Sequence, residues 1–309
     1  MNYSPLSISL RGACSGAATQ SKTGLDKFMK SFSNKVAVIT GAGSGMGRAL
    51  AIELAKQNCA VAISDVSEQA LQETAAMLEQ YQVKVSCEIL DVSDRSAMER
   101  YAKDMFEAHG QINLVFNNAG VSVTDSAEHM SYQDFEWLMN INFWGVVYGT
   151  KSFLPYLQKA DEGHIINTSS IFGILSFPSQ SAYNASKFAV RGYTESLRQE
   201  LNDSHINVSC VHPGKVETNI INKSRYTVAD NEAPTKQEMT EMFDSMPGLT
   251  SVEAALVILN GVKGNKYRIM VGRDARFLAL IARIAPVNYP RLLQLISSPF
   301  GAAKKKAEA

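Results

Sequence analysis

The sequence lacks a long apolar run, an excess of either charge and any cysteine pattern suited to metal binding or disulfides. No uninterrupted apolar stretch approaches the roughly 20 residues that a membrane-spanning helix needs. Basic and acidic residues number 30 each, so net charge gives no reason to expect nucleic acid as a partner. The four cysteines do not have metal-ligand spacing. We therefore expect buried, reduced thiols in a cytoplasmic protein without a metal site.

Residues 1–33 differ in composition from the rest of the chain. They are rich in Ser, Gly, Ala and Thr, carry several basic residues, and have Asp26 as their only acid. A transit peptide, a disordered tail and an upstream extension ahead of a start at Met29 all fit this composition. Because no apolar core or strong amphipathic stripe is visible, we expect a disordered N-terminal extension. The folded domain is then expected to span residues 34–274.

From residue 34 onward, short apolar runs alternate with amphipathic stretches of helical periodicity. Strands joined by helices of this length imply a parallel sheet with right-handed crossovers. The sequence therefore predicts an α/β fold, with a Rossmann-type doubly wound sheet of about seven strands and helices on both faces. The predicted strands are residues 36–39, 60–63, 83–90, 112–116, 164–168, 206–211 and 267–271.

Two segments near the C-terminus do not fit this alternation. Residues 219–249 are polar, contain two prolines, and are predicted to form a substrate lid rich in methionine and aromatic side chains. These side chains favour an apolar, adaptable pocket or a small core within the lid itself. Arg225 in the lid has two open roles, contact with an anionic group or simple solvation. Residues 275–309 form an apolar-basic extension that suits the pocket, a second subunit or a membrane surface.

A glycine-rich segment, residues 40–47, lies between the first predicted strand and the first predicted helix. Glycines there allow a tight turn and close approach of a pyrophosphate to the helix N-terminus, although a Gly-rich turn without ligand is the alternative. Asp65 ends the second strand, where a carboxylate can accept hydrogen bonds from the adenosine ribose or, instead, cap the next helix. Because positions 44 and 66 are Ser and Val, neither position supplies a basic side chain that could bind a 2′-phosphate. The sequence therefore favours NAD over NADP.

Tyr183 and Lys187 are four residues apart, so on a helix they share one face. A phenol has a pKa of about 10, and an adjacent ammonium lowers that pKa toward the range needed for acid–base catalysis. The spacing alone is weak, because chance supplies it on many surface helices.

Several motifs occur together in an order that strengthens this pair. They are residues 40–47, Asp91-Val92, Asn117-Asn118-Ala119-Gly120, Asn142, Ser170, Tyr183-x-x-x-Lys187 and Pro213-Gly214-x-Val216-x-Thr218. In this order the chain resembles the short-chain dehydrogenase/reductase family, from about Lys35 to Thr218.

The resemblance implies four catalytic residues. Tyr183 would be the general acid/base, and Lys187 would lower the Tyr183 pKa and bind the nicotinamide ribose. Ser170 would hold the substrate oxygen, and Asn142 would hold a water that links Lys187 to solvent. The two histidines beside the predicted strands, His164 and His212, are interpreted as structural.

The resemblance also implies the cofactor-binding residues and an oligomer. A homodimer or homotetramer would form through the helices that carry Asn142 and Tyr183. The residues assigned to the dinucleotide, besides Tyr183 and Lys187, are Gly41, Ser44, Gly45, Met46 and Gly47 for the pyrophosphate, Asp65, Asn118, Ala119 and Gly120 for the adenosine ribose, Asp91 and Val92 for the adenine, and Pro213, Gly214, Val216 and Thr218 for the nicotinamide.

The sequence thus leads to an NAD(H)-dependent oxidoreductase that interconverts a secondary alcohol and a ketone or aldehyde, with a small, lipophilic substrate. Two alternatives stay open: a membrane-surface reductase of lipid or acyl carbonyls, and a scaffold that senses dinucleotides without catalysis. The intact catalytic set argues against the scaffold.

Overall fold

The structure is a computed structural model that describes residues 29–218, 220, 224–226, 236–245 and 247–293. Most of the predicted N-terminal extension therefore lies outside the described residues, as do residues 294–309. Met29 and Phe32 are buried in the hydrophobic core. The packed part of the chain thus begins before residue 34, where the composition placed its start.

The described elements alternate along the chain as the apolar periodicity predicts. They include a π-helical turn, Asn140–Trp144, and a 3₁₀-helical turn, Ile171–Gly173. The strands are β1 Val36–Thr40, β2 Ala60–Asp65, β3 Val85–Ile89, β4 Leu114–Asn117, β5 Val123–Thr124, β6 Gly163–Thr168, β7 Ile206–Pro213, β8 Arg225–Tyr226 and β9 Arg268–Val271. The helices are α1 Gly45–Ala55, α2 Glu68–Leu78, α3 Arg95–His109, α4 Tyr132–Met139, α5 Gly145–Leu157, α6 Ser181–Glu200, α7 Lys236–Ser245, α8 Ser251–Lys263 and α9 Arg273–Ile284.

The main sheet has seven parallel strands in the order β3-β2-β1-β4-β6-β7-β9, which confirms the predicted fold class. Successive side chains of a strand point to opposite faces. On β1, Ala37 and Ile39 pack on one side with α1 and α8, whereas Val36 and Val38 pack on the other with α3 and α5. Strand order reverses between β1 and β4, so a crevice opens beyond their carboxyl ends.

A second, two-stranded sheet was not predicted. β8, inside the predicted lid, pairs in parallel with β5, which follows β4. Arg225 of β8 forms an ion pair with Asp134 at 2.7 Å, and its guanidinium lies 3.6 Å from the centre of the Trp137 ring. Arg225 therefore holds the lid to α4 and is not the unpaired, solvated cation that was one of its two expected roles.

The chain after β9 continues directly into α9. Ala275 of this helix is buried against the domain, so the predicted boundary at residue 274 falls inside a packed helix. Within the described residues, no helix is long and apolar enough to cross a membrane. Cys59 and Cys210 are free and buried as expected, whereas Cys87 is exposed.

Candidate active site

The loops that follow β1 and β4 are bound to each other at the crevice. The Thr40 hydroxyl accepts hydrogen bonds from the backbone N–H groups of Asn118 (3.0 Å) and Ala119 (3.1 Å). The Asn118 side chain donates to the carbonyl of Thr40 at 3.0 Å. Gly41 has φ +65° and lies so near Ala119 that an added Cβ would be 2.8 Å from the Ala119 Cα. These contacts hold the glycine loop against the next strand.

The N-terminus of α1 is open toward this crevice. Ser44 occupies the N-cap position but makes no capping hydrogen bond, and the first turn contains no acidic residue. The first backbone N–H groups of a helix need a partner from outside the helix, and an anion such as a pyrophosphate satisfies them. The predicted cradle of Gly41, Ser44, Gly45, Met46 and Gly47 therefore has the geometry and the charge preference that a dinucleotide requires.

Asp65 lies against this loop. Its carboxylate accepts hydrogen bonds from the backbone N–H groups of Gly43 (2.9 Å) and Ser67 (3.0 Å). Ser67, not Asp65, is the N-cap residue of α2. The helix-capping alternative for Asp65 is therefore wrong, and each carboxylate oxygen keeps a lone pair for a further donor such as a ribose hydroxyl.

Arg48, which was not among the predicted site residues, is a cation beside the glycine loop. Its guanidinium donates to Thr74 Oγ1 and to Glu73 Oε2, each at 2.9 Å, and also bonds the carbonyl of Gly43. Because Glu73 neutralises its charge and four acceptors hold it, the fourth being the Ala70 carbonyl at 3.3 Å, Arg48 stiffens the glycine loop and is not a free cation for a 2′-phosphate.

The adenine-side residues lie at the end of β3. Asp91 is exposed, and its carboxylate accepts hydrogen bonds from the backbone N–H and the hydroxyl of Ser93. Val92 is buried against Gly145, where an added Cβ would lie 2.8 Å from the Val92 side chain. The structure thus places both predicted residues at the crevice side of the sheet, near α5.

Tyr183 and Lys187 lie on one face of α6, as their spacing predicts. The Lys187 ammonium donates to the carbonyl of Thr168 at 3.0 Å and lies 5.6 Å from the centre of the Tyr183 ring. Burial lowers the pKa of Lys187 to about 8. Burial also raises the pKa of Tyr183 to about 12, against the opposing effect of a hydrogen bond with Ser170. In the protein alone, burial therefore shifts the Tyr183 pKa in the direction opposite to the lowering expected from Lys187.

Ser170 and Ser169, which follow β6, contact Tyr183 and Lys187, respectively. The Ser170 hydroxyl accepts a hydrogen bond from the Phe172 backbone N–H (3.1 Å), and the Ser170 carbonyl accepts one from Nδ1 of His212 at 2.9 Å. The Ser169 hydroxyl donates to the Lys187 carbonyl at 2.7 Å. The structural role expected for His212 is therefore seen in its bond to Ser170. Ser169 was not predicted as a support, because no spacing rule links it to α6.

Asn142 is fully buried in the π-helical turn and ties this turn to the loop after β4. Its amide donates to the Val121 carbonyl (2.9 Å), and its Oδ1 accepts from the Val121 N–H (2.8 Å). A Cβ added to Gly120 would lie 3.3 Å from Asn142 Oδ1 and 3.4 Å from Lys187 Nζ. Gly120 thus leaves open the space between the two side chains where the predicted water would sit.

The loop after β7 is the last of the loops at the carboxyl edge of the main sheet. Thr218 faces the glycine loop, because a Cβ added to Gly45 would lie 3.1 Å from its methyl group. Val216 is buried and forms a β-bridge with Leu249. The Pro213-Gly214 turn is held by Asp274 of α9, whose carboxylate accepts the Lys215 N–H at 2.6 Å. Asp274 escaped the sequence analysis, although an acid in the first turn of a helix is a recognisable signal.

Two phenylalanine rings form an aromatic wall beside Tyr183. The Phe172 ring lies 4.7 Å from that of Phe177 and meets that of Tyr183 edge-on at 5.9 Å, centre to centre. The hydroxyl of Tyr289, beyond α9, accepts the Ser176 N–H at 3.0 Å and so fixes the segment that carries these rings. In the lid, whose methionine and aromatic side chains were expected to line a pocket or a small core, Phe243 of α7 lies under the Lys215 ammonium. Met246 lies outside the described residues.

His212 and His164 are buried in the sheet, His212 beside Ser170 and His164 at the other end of β6. His164 bonds Ser209 at 2.8 Å, and burial lowers its pKa to about 3. Burial lowers the pKa of His212 to about 4. Nowhere in the described ranges do three or more His, Cys, Asp or Glu side chains form a group that could hold a metal ion.

Comparisons of the sequence and of the fold find similar proteins. A family model described as short chain dehydrogenase matches residues 35–229. The chain is 42% identical over 268 residues to a Mycobacterium tuberculosis protein named oxidoreductase SadH, covering 86% of this chain and 96% of that protein. It is 30% identical over 294 residues to a Sphingobium protein named C alpha-dehydrogenase, covering 91% and 93% of the two chains. A solved short-chain dehydrogenase/reductase from Burkholderia phymatum, in complex with NAD, is similar with a TM-score of 0.76 and 31% identity, over 83% of this chain and 95% of that one.

Proposed function

The chain belongs to the short-chain dehydrogenase family, and from this premise we propose that it is an NAD(H)-dependent oxidoreductase that interconverts a secondary alcohol and a ketone or aldehyde. One observation carries the proposal. The Tyr183 phenol, the Ser170 hydroxyl and the Lys187 ammonium meet at the sheet edge where the uncapped N-terminus of α1 awaits an anion.

Each catalytic side chain has a role that its surroundings support. Bound NAD supplies the hydride acceptor for oxidation, and NADH the donor for reduction. Tyr183 takes the hydroxyl proton of the alcohol or returns it to the carbonyl, while Ser170 donates a hydrogen bond to the substrate oxygen as charge develops there. Because burial raises the pKa of Tyr183, the phenol is protonated at neutral pH. Reduction, which needs the acid form, is then favoured near neutrality, and oxidation is favoured at higher pH.

Removal of the Tyr183 hydroxyl tests the proposal. We expect Tyr183→Phe to lower turnover by roughly 10²–10⁴-fold, the usual contribution of a general acid/base, with NADH binding unchanged. Lys187→Met should weaken NADH binding as well as turnover, because its ammonium is assigned to both tasks. Turnover is followed by NADH absorbance and binding by fluorescence titration.

Tyr132→Phe, at a tyrosine that is 89% exposed, is the matched control for Tyr183→Phe. Normal turnover in Tyr183→Phe would end the proposed mechanism, and a wild-type protein that binds NADH without any turnover would favour the non-catalytic scaffold.

We propose NAD rather than NADP as the cofactor, because the Asp65 carboxylate lies beside the glycine loop and would repel a 2′-phosphate. Asp65→Asn keeps the size of the side chain and removes its charge. We expect the ratio of the NADPH to the NADH dissociation constant to fall by about tenfold or more, since an unscreened charge contact costs about 1.4 kcal/mol or more. Glu68→Gln removes an exposed carboxylate nearby and should leave the ratio unchanged. An unchanged ratio in Asp65→Asn would contradict the assignment.

We propose a lipophilic substrate because the wall next to Tyr183 is aromatic. Phe172 and Phe177 offer apolar area beside the reacting oxygen and few polar partners. Across a panel of secondary alcohols, kcat/KM should rise with alkyl length or with an aryl substituent. Phe172→Ala should reduce this rise and leave kcat/KM for propan-2-ol nearly unchanged. A preference of the wild type for short or polar alcohols would contradict the proposal.

The oligomer and the location stay predictions. Trp144, at the end of the π-helical turn, and Phe188 on α6 are 43% and 41% exposed, which suits a homodimer or homotetramer formed through these helices. Light scattering of the wild type and of Phe188→Glu would test this assembly. A cytoplasmic location fits the free thiols of Cys59, Cys87 and Cys210.

A further inference from the structure

The outward face of α9 carries an apolar stripe with no partner among the described residues. Phe277, Leu280 and Ile284 are spaced three and four residues apart, so they form one line along the helix. Their exposed fractions are 54%, 54% and 73%, and Val287 beyond the helix is 83% exposed. The opposite face is the one that packs on the domain, through the buried Ala275. The apolar stripe is therefore directed away from the core of this chain.

Arginines accompany this stripe. Arg273, Arg276, Arg283 and Arg291 are exposed, and none forms an ion pair with a described residue. The one acid of α9, Asp274, accepts a hydrogen bond from the Lys215 backbone. The face thus combines exposed apolar side chains with uncompensated positive charge, and the sequence beyond it adds three consecutive lysines.

The positive charge of this face decides whether a second copy of the chain or an anionic lipid surface fits it better. In a two-fold dimer the same patch meets itself, so a second copy would bring arginines against arginines. An anionic lipid surface offers the opposite charge, and its acyl chains accept Phe277, Leu280 and Ile284. We propose that the α9 face, defined as residues 273–291, docks on anionic membrane surfaces.

The position of the face relates this docking to the active site. α9 begins at the Pro213-Gly214 turn, where Asp274 holds the backbone, and Tyr289 holds the segment that carries Phe172 and Phe177. A membrane under α9 therefore lies next to the aromatic wall. Docking itself does not depend on the proposed catalytic function.

Vesicle sedimentation with the full chain tests the docking. The wild type should sediment with vesicles that contain phosphatidylglycerol and much less with pure phosphatidylcholine, and salt should weaken the binding. Arg276→Gln combined with Arg283→Gln should lower the partition coefficient about tenfold or more. Phe277→Glu combined with Ile284→Glu should abolish sedimentation. Val252→Glu combined with Leu256→Glu makes the same charge change on the exposed side of α8, and this control should bind like the wild type.

Further measurements separate the proposal from its alternatives. NADH binding and thermal melting of each variant show that it is folded, and neither readout requires lipid or turnover. Substitution of Lys304, Lys305 and Lys306 by Gln should weaken sedimentation without abolishing it. If instead these lysines carry all the binding and Phe277→Glu with Ile284→Glu binds normally, the α9 face is not the docking surface. The proposal is overturned if the wild type does not sediment. It is overturned in favour of a subunit interface if Phe277→Glu combined with Ile284→Glu changes the molar mass in light scattering.

Discussion

Asp274 shows how a single carboxylate outside the recognised motifs can shape a site. It lies in the first turn of α9, where an acid interacts favourably with the helix dipole, yet its hydrogen bond goes to the Lys215 backbone. The neighbouring turn of Pro213 and Gly214 is assigned to the nicotinamide. Since a Cβ on Gly214 would collide with this carboxylate, only glycine permits the close approach.

We expect Asp274→Ala to weaken NADH binding more than it weakens the fold. Loss of a charged acceptor frees the Lys215 N–H, and a tenfold rise in the NADH dissociation constant corresponds to about 1.4 kcal/mol, within the range of such a bond. Asp274→Asn retains an acceptor oxygen and should restore most of the affinity. The exposed Arg273→Ala is the control. Fluorescence titration with parallel thermal melting checks the split, and an unchanged dissociation constant in Asp274→Ala would remove Asp274 from the site.

The continuous helical segment formed by α4, the π-helical turn and α5 shows the same principle among elements. The turn holds one residue more than a regular helix would, which lets Asn142 face Val121 while α5 keeps its packing on β4. α5 approaches β4 closely at Gly149. A Cβ there would collide with the Asn117 side chain, whose amide bonds Thr150 and Asn167 inside the core.

Gly149→Ala should therefore destabilise the protein even though alanine favours helix. Overpacking of this kind costs about 1–3 kcal/mol, which exceeds the gain of roughly 1 kcal/mol in helix propensity. Urea unfolding measures the change. In the background of Asn117→Ala, which removes the colliding amide, Gly149→Ala should cost less than it does in the wild type. Equal costs in both backgrounds would mean that Asn117 is not the obstacle.

At the scale of the molecule, the sheet buries titratable groups that only the folded state holds neutral. The pKa values of His164 and His212 fall to about 3 and about 4, because both imidazoles lose water and face cations such as Arg198 for His164 and Arg268 for His212. The unfolded chain, with histidine pKa values near 6.5, binds more protons below that pH. Stability from these groups is thus complete above about pH 6.5 and is lost as pH falls toward 4.

Unfolding free energies measured between pH 7 and 5 should show this loss. Two histidines give a limiting slope of about 2.7 kcal/mol per pH unit, since each contributes about 1.4 kcal/mol. His212→Asn should reduce the slope by about half. His129→Asn, at a histidine on a surface loop, should leave it unchanged. A flat profile in the wild type would contradict the buried, neutral state of both histidines.

Much of this architecture could be predicted from the sequence, because apolar periodicity indicates which face of each helix or strand is buried. Local patterns and short crossovers predict seven strands and their parallel direction. They also predict that the glycine loop lies between a strand and a helix. The spacing of Tyr183 and Lys187 placed both on one face of α6. Prediction failed where partners lie far apart in sequence, as with Arg225 and Asp134, or with Met29 and Phe32 in the core.

The sequence by itself determined which chemical groups are present and on which element each one stands, because helix and strand repeats depend on neighbours along the chain. Tertiary structure alone decided their electrostatics and supports. The Tyr183 pKa rises and the Lys187 pKa falls because the folded chain removes water from both. The outward direction of Phe277 on α9 likewise depends on which face the domain covers. Burial is a property of the assembled layers, and no local repeat encodes it fully.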